Sequence, residues 1–296
     1  MRAKKQNTMS IIGAGGVGST LALLLYKAGY DIVSVLSKKK NSARKLARLV
    51  QCRKYSDSLS DIDPATRIIL IAVPEEDIWG IGKELSTHAD LDFSKLAVFH
   101  TSGSLTSDAL LPLRKKGAIT FSLHPIQSFS KASSLAHQIG QMRNVVYGFE
   151  GNKAAIQLAR QLVKALCGTL VQIPKEGKIL YHIACVFASN YPIALLGAVD
   201  DLAKRIGNGI KLAHLKPMMS TSIENAFQQS PQMALTGPIA RGSLATVENH
   251  LNELRKADKP LAILYQQIGL QALKMAEKRK SITPKVAKQI RLILES

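Results

Sequence analysis

Three sets of residues in the chain have the types and spacing to do chemistry. Gly13, Gly15 and Gly18 stand as G-x-G-x-x-G, directly after the apolar run MSII and before the periodic run TLALLLYKAG. In that setting the first glycine permits a tight turn and the second lets backbone approach a pyrophosphate. The third lets a helix pack close to its strand. Gly16 and Val17 fall between them at the predicted helix start, where unpaired N–H groups and the positive dipole end favour an anion. The second set is His100, Ser102 and His124, each at or just past the end of an apolar run (LAVFH, TSGS, AITFSLHP), with Pro125 closing the last. The third is His182, Ser189 and Asn190 on the long apolar stretch YHIACVFASNY, together with Arg241 in the loop ALTGPIARGS. Imidazole moves protons near neutral pH, and a guanidinium fork clamps a carboxylate.

The elements that must position these residues follow from the pattern. Residues 8–37 read as strand, glycine turn, helix and strand. RIILIAVP, ending at Val73-Pro74, and LAVFH are further strands, each followed by a helix. Glu75, Glu76 and Asp77 fall in a first helical turn, where the dipole accounts for them. His100, Ser102 and His124 then lie at the C-terminal edge of a parallel sheet, where ligands bind in such folds. NVVYGFEG and TLVQIP look like two more strands around a helix at 152–167. Only helical patterns follow, at about 177–206, 210–228, 244–256 and 259–280, before a basic tail. The expected architecture is an α/β doubly wound domain over 1–150, with extra strands to about 175, followed by an all-α domain over 151–296.

The second strand, DIVSVLS, ends at Ser37 without the carboxylate that holds an NAD ribose. Ser37, Lys38, Lys39 and Arg44 stand there instead, suited to a 2′-phosphate, so NADP is the expected cofactor. A solvated lysine run is the alternative. The cofactor-binding set is completed by Val73 and Pro74.

Composition bounds the remaining possibilities. The 296 residues carry a net charge of +19, with 12 basic and 2 acidic side chains in the first 60. An anionic ligand near the N-terminal region fits, and solubility alone can explain the C-terminal excess. With 5% aromatic residues and no known nucleic-acid module, no specific nucleic-acid partner is expected. The three cysteines argue against a disulfide framework and fit a reducing cytoplasm. The seven histidines show no short ligand spacing, so no metal is expected. The apolar window 179–199 carries His182, Asn190 and Pro192 and is expected to be a buried helix rather than a membrane span.

The segments GAGGVGS, AVPEEDI, HTSGSL, LHPIQSF, YHIACVFASNY, GPIARG and VENHL, in this order, resemble the family of Rossmann-like proteins with a DUF2520 C-terminal domain. The resemblance spans nearly the whole chain. It implies a Rossmann-like domain followed by a helical domain like that of 6-phosphogluconate dehydrogenase relatives, dimerising through helices. Some relatives resemble ketopantoate reductases. Those enzymes carry Lys-x-x-x-Asn on the long helix; here Val186 stands four residues before Asn190, so that lysine is missing. Ser243 replaces an acid common after GPIARG. Ser102 with His124-Pro125 is similar to the serine and histidine of prephenate dehydrogenases, which implies that His124 handles the proton at the substrate oxygen.

The expectation is therefore an NADP-dependent oxidoreductase reducing a small 2-oxo acid such as ketopantoate. In it His124 transfers the proton, Asn190 and Ser102 orient the oxygen, His182 lies nearby and Arg241 holds the carboxylate. The alternatives are a prephenate- or amino-acid-like dehydrogenase and a non-catalytic NADP-binding regulator.

Overall fold

The computed structural model describes residues 7–130, 132–207 and 209–296. Its chain divides into two compact units, one ending at Asn190 and the other spanning Tyr191–Ser296. The sequence placed the boundary between residues 150 and 175; the division falls later, inside a long helix.

The first unit is built on β1 (Thr8–Ile12), α1 (Gly16–Lys27), β2 (Asp31–Leu36), α2 (Lys40–Leu49), the two-residue β3 (Tyr55–Ser56), β4 (Ile68–Ile71), α3 (Glu75–Leu85) and β5 (Ala97–His100). It continues through α4 (Leu111–Lys115), β6 (Ile119–Pro125), α5 (Leu135–Gly140), β7 (Val146–Gly151), α6 (Lys153–Ala165), β8 (Thr169–Gln172) and the start of α7 (Lys178–Ile206). The sheet order is β3-β2-β1-β4-β5-β6-β7-β8. Every pair is parallel except β6–β7. Strands β1, β4 and β5 are buried along their whole length, as expected of parallel strands covered on both faces.

Alternation splits β5 and β6 between two different surfaces. Phe99, Phe121 and Leu123 point to one face, where Phe99 and Phe121 stack at 5.1 Å and join the core beneath α1 and α6. His100, Ser122 and His124 point to the other. Register places His100 beside Ser122, Ser122 beside Glu150, and His124 beside Gly148. That face is apolar under α3 and α4, through Ile69, Ile71 and Val98, and turns polar from β6 onward.

The glycine turn works as the spacing requires. Gly13 has φ +102°, and a Cβ there would lie 2.1 Å from the Ala72 carbonyl oxygen. A Cβ on Gly18 would lie 2.0 Å from the Gly13 carbonyl oxygen, so only hydrogen permits this helix–strand approach.

The second unit contains the rest of α7, then α8 (Leu212–Gln229), α9 (Pro231–Ala234), α10 (Pro238–Arg241), α11 (Leu244–Ala257), α12 (Lys259–Arg279) and α13 (Pro284–Glu295). Ile239, Val247, Leu273, Ile290 and Leu294 form its core. The basic tail is thus a helix. Thr283 caps it by accepting from Val286 N–H, Pro284 occupies N1, and Ile290 and Leu294 are buried. α7 also differs from expectation. It is a helix, but in the single chain its apolar residues face outward: Leu180 is 71% and Ile193 66% exposed. Among the described residues the segment Lys175–Ile206 is long and apolar enough to cross a membrane, by length and composition alone.

Gly18→Ala is expected to lower the melting temperature sharply, whereas Gly15→Ala, with nothing within 4 Å of the added Cβ, should melt like the parent. Thermal unfolding of the two variants side by side checks this.

Candidate active site

The glycine turn leaves open the one place where a ligand needs room. Gly15 is exposed, caps α1 in an extended conformation, and has no atom within 4 Å of its missing Cβ. Gly16 begins the helix, with the buried Gln138 amide 3.3 Å from its own missing Cβ. Gln138 accepts from Thr20 Oγ1 at 3.2 Å and donates to the Ser130 carbonyl at 3.0 Å, which ties α5 to the loop. A recess lined by Gly13, Gly15, Ser37, Lys38, Val73 and Pro74 runs alongside. Val17 is half-buried on the first turn of α1.

The four residues expected at a 2′-phosphate divide. Lys38 forms an ion pair with Asp77 at 2.7 Å, so its charge is already matched. Lys39 and Arg44 line a neighbouring recess with Lys40, Ser42 and Tyr55, at the N-terminus of α2. No acid stands in that first turn and no side chain caps it. Lys40 faces Asp57 at 3.7 Å, so the dipole, Lys39 and Arg44 act together on any anion there.

A cluster of titratable side chains forms where the sheet turns polar. His124 Nδ1 and Tyr181 Oη are hydrogen-bonded at 2.6 Å. The His182 ring meets the His124 ring edge-on at 6.4 Å. Both rings face Gly103, where a Cβ would lie 2.6 Å from His182 Cδ2 and 3.2 Å from His124 Nε2. Gly148 makes room for Tyr181 in the same way, since a Cβ there would lie 2.5 Å from Oη. Beneath them Lys178, fully buried, donates from Nζ to Ser122 Oγ at 2.8 Å, and Ser122 Oγ donates to the Ser102 carbonyl at 3.1 Å. Glu150, also buried, accepts from the Ser107 N–H and hydroxyl.

Charge states follow from this packing. Burial pushes His124 down to about 4, and the charges of Lys178 and His182 add to the effect against a small opposing pull from Glu75. His124 is therefore neutral at neutral pH, where the sequence implied an imidazole near its ordinary value. The first cause is burial, and the cation beneath it adds to the effect. Burial likewise pushes Lys178 down to about 8, opposed by Glu150, Cys185 and Glu75. Burial acts to raise Glu75, but hydrogen bonds from Ser102 and Ser104 outweigh it and hold the carboxyl below its usual range.

Not every expected residue joins the cluster. The Ser102 hydroxyl donates to Glu75 and accepts from the Ser104 and Leu105 N–H groups, so it builds the 102–105 turn rather than facing a substrate. Asn190 is exposed, accepts from Ser189 Oγ at 2.8 Å, and lies about 13 Å along the helix axis from Tyr181. Arg241 belongs to the second unit, exposed at the end of α10 before the left-handed Gly242. Sequence reasoning missed Lys178, Tyr181, Glu75 and Glu150. The available signal was K-x-x-Y-H at 178–182, whose three polar groups share one helix face. Among the described residues no group of three His, Cys, Asp or Glu is placed to hold a metal.

The parallel sheet, the glycine turn and the open backbone at Gly15 define a dinucleotide-binding protein of the Rossmann type. Residues 2–125 match the model of the Rossmann-like domain and residues 145–272 that of the domain of unknown function DUF2520; the chain is a Rossmann-like and DUF2520 domain-containing protein. Among curated proteins none matches. Similar solved structures include protein TM1727 from Thermotoga maritima, at 24% identity and TM-score 0.72, covering 92% of this chain and 99% of the other. Another is BF3122 from Bacteroides fragilis, which carries the provisional description NADP oxidoreductase, at 21% identity and TM-score 0.71, covering 91% and 99%. A third is prephenate dehydrogenase from Aquifex aeolicus, at 19% identity and TM-score 0.56, covering 94% and 100%. At these identities the likeness is one of fold.

His100 yields a pH prediction. It is fully buried, its Nε2 bonded to the Thr106 carbonyl at 3.1 Å and its Nδ1 to the Ser102 N–H at 3.2 Å, and burial lowers it to about 4. A histidine depressed on folding binds more protons unfolded, so its stabilisation is complete above 6.5 and is lost as pH falls from 6.5 towards 4. The loss is on the order of 3 kcal/mol. Denaturant titrations across that range are expected to show this slope, and a folded His100→Asn variant to show a shallower one.

Proposed function

We propose that the chain is an NADP-dependent oxidoreductase that reduces the carbonyl of a small carboxylate, with ketopantoate the first 2-oxo acid to test. The observation that carries the reading is the placement of His124. It stands beside Gly103 at the C-terminal edge of the same sheet whose β1–α1 turn leaves Gly15 open. The Gly15 backbone and the α1 N-terminus suit a pyrophosphate, and Lys39 and Arg44 a 2′-phosphate. When bound, NADPH supplies the hydride. His124 offers a ring nitrogen to the substrate oxygen and His182 closes the same wall.

A second reading has one observation in its favour. A neutral His124 is able to accept a proton from a hydroxyl, which suits oxidation of a prephenate- or amino-acid-like alcohol.

Reduced-nicotinamide absorbance with NADPH, NADH and a panel of 2-oxo acids tests the reading. Turnover with NADPH is expected, falling at least tenfold in His124→Ala. Gly15→Ala is expected to weaken NADPH binding, read by fluorescence. The paired change Lys39→Ala and Arg44→Ala should lower affinity for NADPH but not for NADH. Tight NADPH binding without turnover of any alcohol or 2-oxo acid favours a regulator; no binding of either nucleotide sinks the reading.

We also propose a homodimer formed through helices. Besides Leu180 and Ile193 on α7, Phe227 on α8 is 86% and Met218 67% exposed. Apolar surface on this scale marks an interface. Light scattering is expected to give twice the chain mass at micromolar concentration, and Ile193→Glu with Phe227→Glu to give a monomer.

A further inference from the structure

Three lysines follow Ser37 in a row, and the fold does not leave them equal. Lys38 Nζ donates to Asp77 Oδ1 at 2.7 Å, a carboxylate in the first turn of α3. Lys40 Nζ stands 3.7 Å from Asp57 Oδ1, just past β3. Among the described residues Lys39, between them, and Arg44 have no ion-pair partner. Acids distant in sequence thus match the two outer cations of the run and leave the middle one available.

The two pairs are not equivalent. Asp57 is half exposed and its contact is loose. The Asp77 side chain is only 26% exposed, and the α3 dipole favours its charge. Lys38 and Asp77 both line the recess that holds Gly13, Gly15 and Ser37, so their bond joins the end of β2 to α3 beside the nucleotide turn. To reach a phosphate there, Lys38 must give up a charge-assisted bond and leave a carboxylate unpaired. While it stays, the pair presents no net charge. A 2′-hydroxyl is indifferent to this, and a dianionic 2′-phosphate is not.

We propose that Asp77 is a cofactor-specificity residue: by holding Lys38 it leaves a 2′-phosphate to Lys39 and Arg44 alone and keeps the preference for NADPH over NADH small. The inference rests on the reading of the α2 recess as the 2′-phosphate site. It adds a residue on another helix that limits how much that site contributes.

Fluorescence titration of the full chain with NADPH and with NADH tests this without any substrate. Asp77→Asn frees Lys38 and is expected to tighten NADPH about threefold to tenfold, with NADH moving by less than about twofold. The gain is expected to shrink as salt rises, which a change in packing would not produce. Asp77→Ser, which a first helical turn also accepts, should give the same order. Lys38→Ala combined with Asp77→Asn removes both charges, so its NADPH affinity is expected within about twofold of the parent. Asp77→Asn with unmoved or weakened NADPH binding overturns the proposal. So does a tenfold loss in the double variant, which would show that Lys38 leaves Asp77 for the phosphate. Either result in a parent that binds NADPH leaves the cofactor reading standing. A parent that binds neither nucleotide overturns both.

Discussion

A single ammonium group, that of Lys178, sets the terms for the polar half of the sheet. Fully buried and bonded to Ser122, it stands where the sheet face changes from Ile69, Ile71 and Val98 to Ser122, His124 and Glu150. An isolated charge there would be unfavourable by several kcal/mol. The structure answers with carboxylates acting through space, Glu150 and Glu75, rather than with a close ion pair that would neutralise it. The charge therefore remains able to act on its other neighbours. Burial keeps both His100 and His124 neutral and this charge adds to it; His100 then serves as a hydrogen-bond post for the 102–105 turn, and His124 presents its other nitrogen beside Gly103.

The turn at 102–105 carries this arrangement to the edge of the sheet. Its backbone is fixed at Ser102 by Ser122 and His100, and its side chains by Glu75. Gly103 at its apex is then held against both imidazole rings, with no room for a Cβ. The acids of the α3 first turn do more than match a helix dipole. Glu75 braces the histidine turn and Asp77 holds Lys38 at the cofactor recess. One helical turn thus serves both sides of the site.

The sequence made the nucleotide half of this arrangement plain and the histidine cluster only partly so. Gly13, Gly15 and Gly18 are legible because local backbone geometry alone demands them, and their neighbours confirm the strand and helix on either side. His124 is legible because Pro125 ends its strand. Lys178 is not, since a lysine at a helix start is ordinarily solvated; its burial depends on β6 and β7, which are distant in sequence. The antiparallel direction of β7 is equally hidden, because VYGFEG reads the same in either direction and the connection before it is long enough for both. Ser102 misled for the opposite reason. Its position at a strand end suits a ligand, but Glu75, 27 residues earlier, takes its hydroxyl. The C-terminal helix was signalled by Thr283-Pro284 and obscured by its lysines.

The basic character of the second unit has a consequence for how its sequence can drift. Arg279 donates to the carbonyls of Gln232, Met233 and Leu235, and Arg205 bridges the Ala257 carbonyl and Asp258. Arg255 holds the chain at Ser296. These guanidinium groups act as mortar between helix ends, each satisfying several acceptors from one planar fork. A lysine is a point charge and cannot span them. These three are therefore not interchangeable with lysine, and some of the charge that invites thoughts of nucleic acid is engaged in joining the protein to itself.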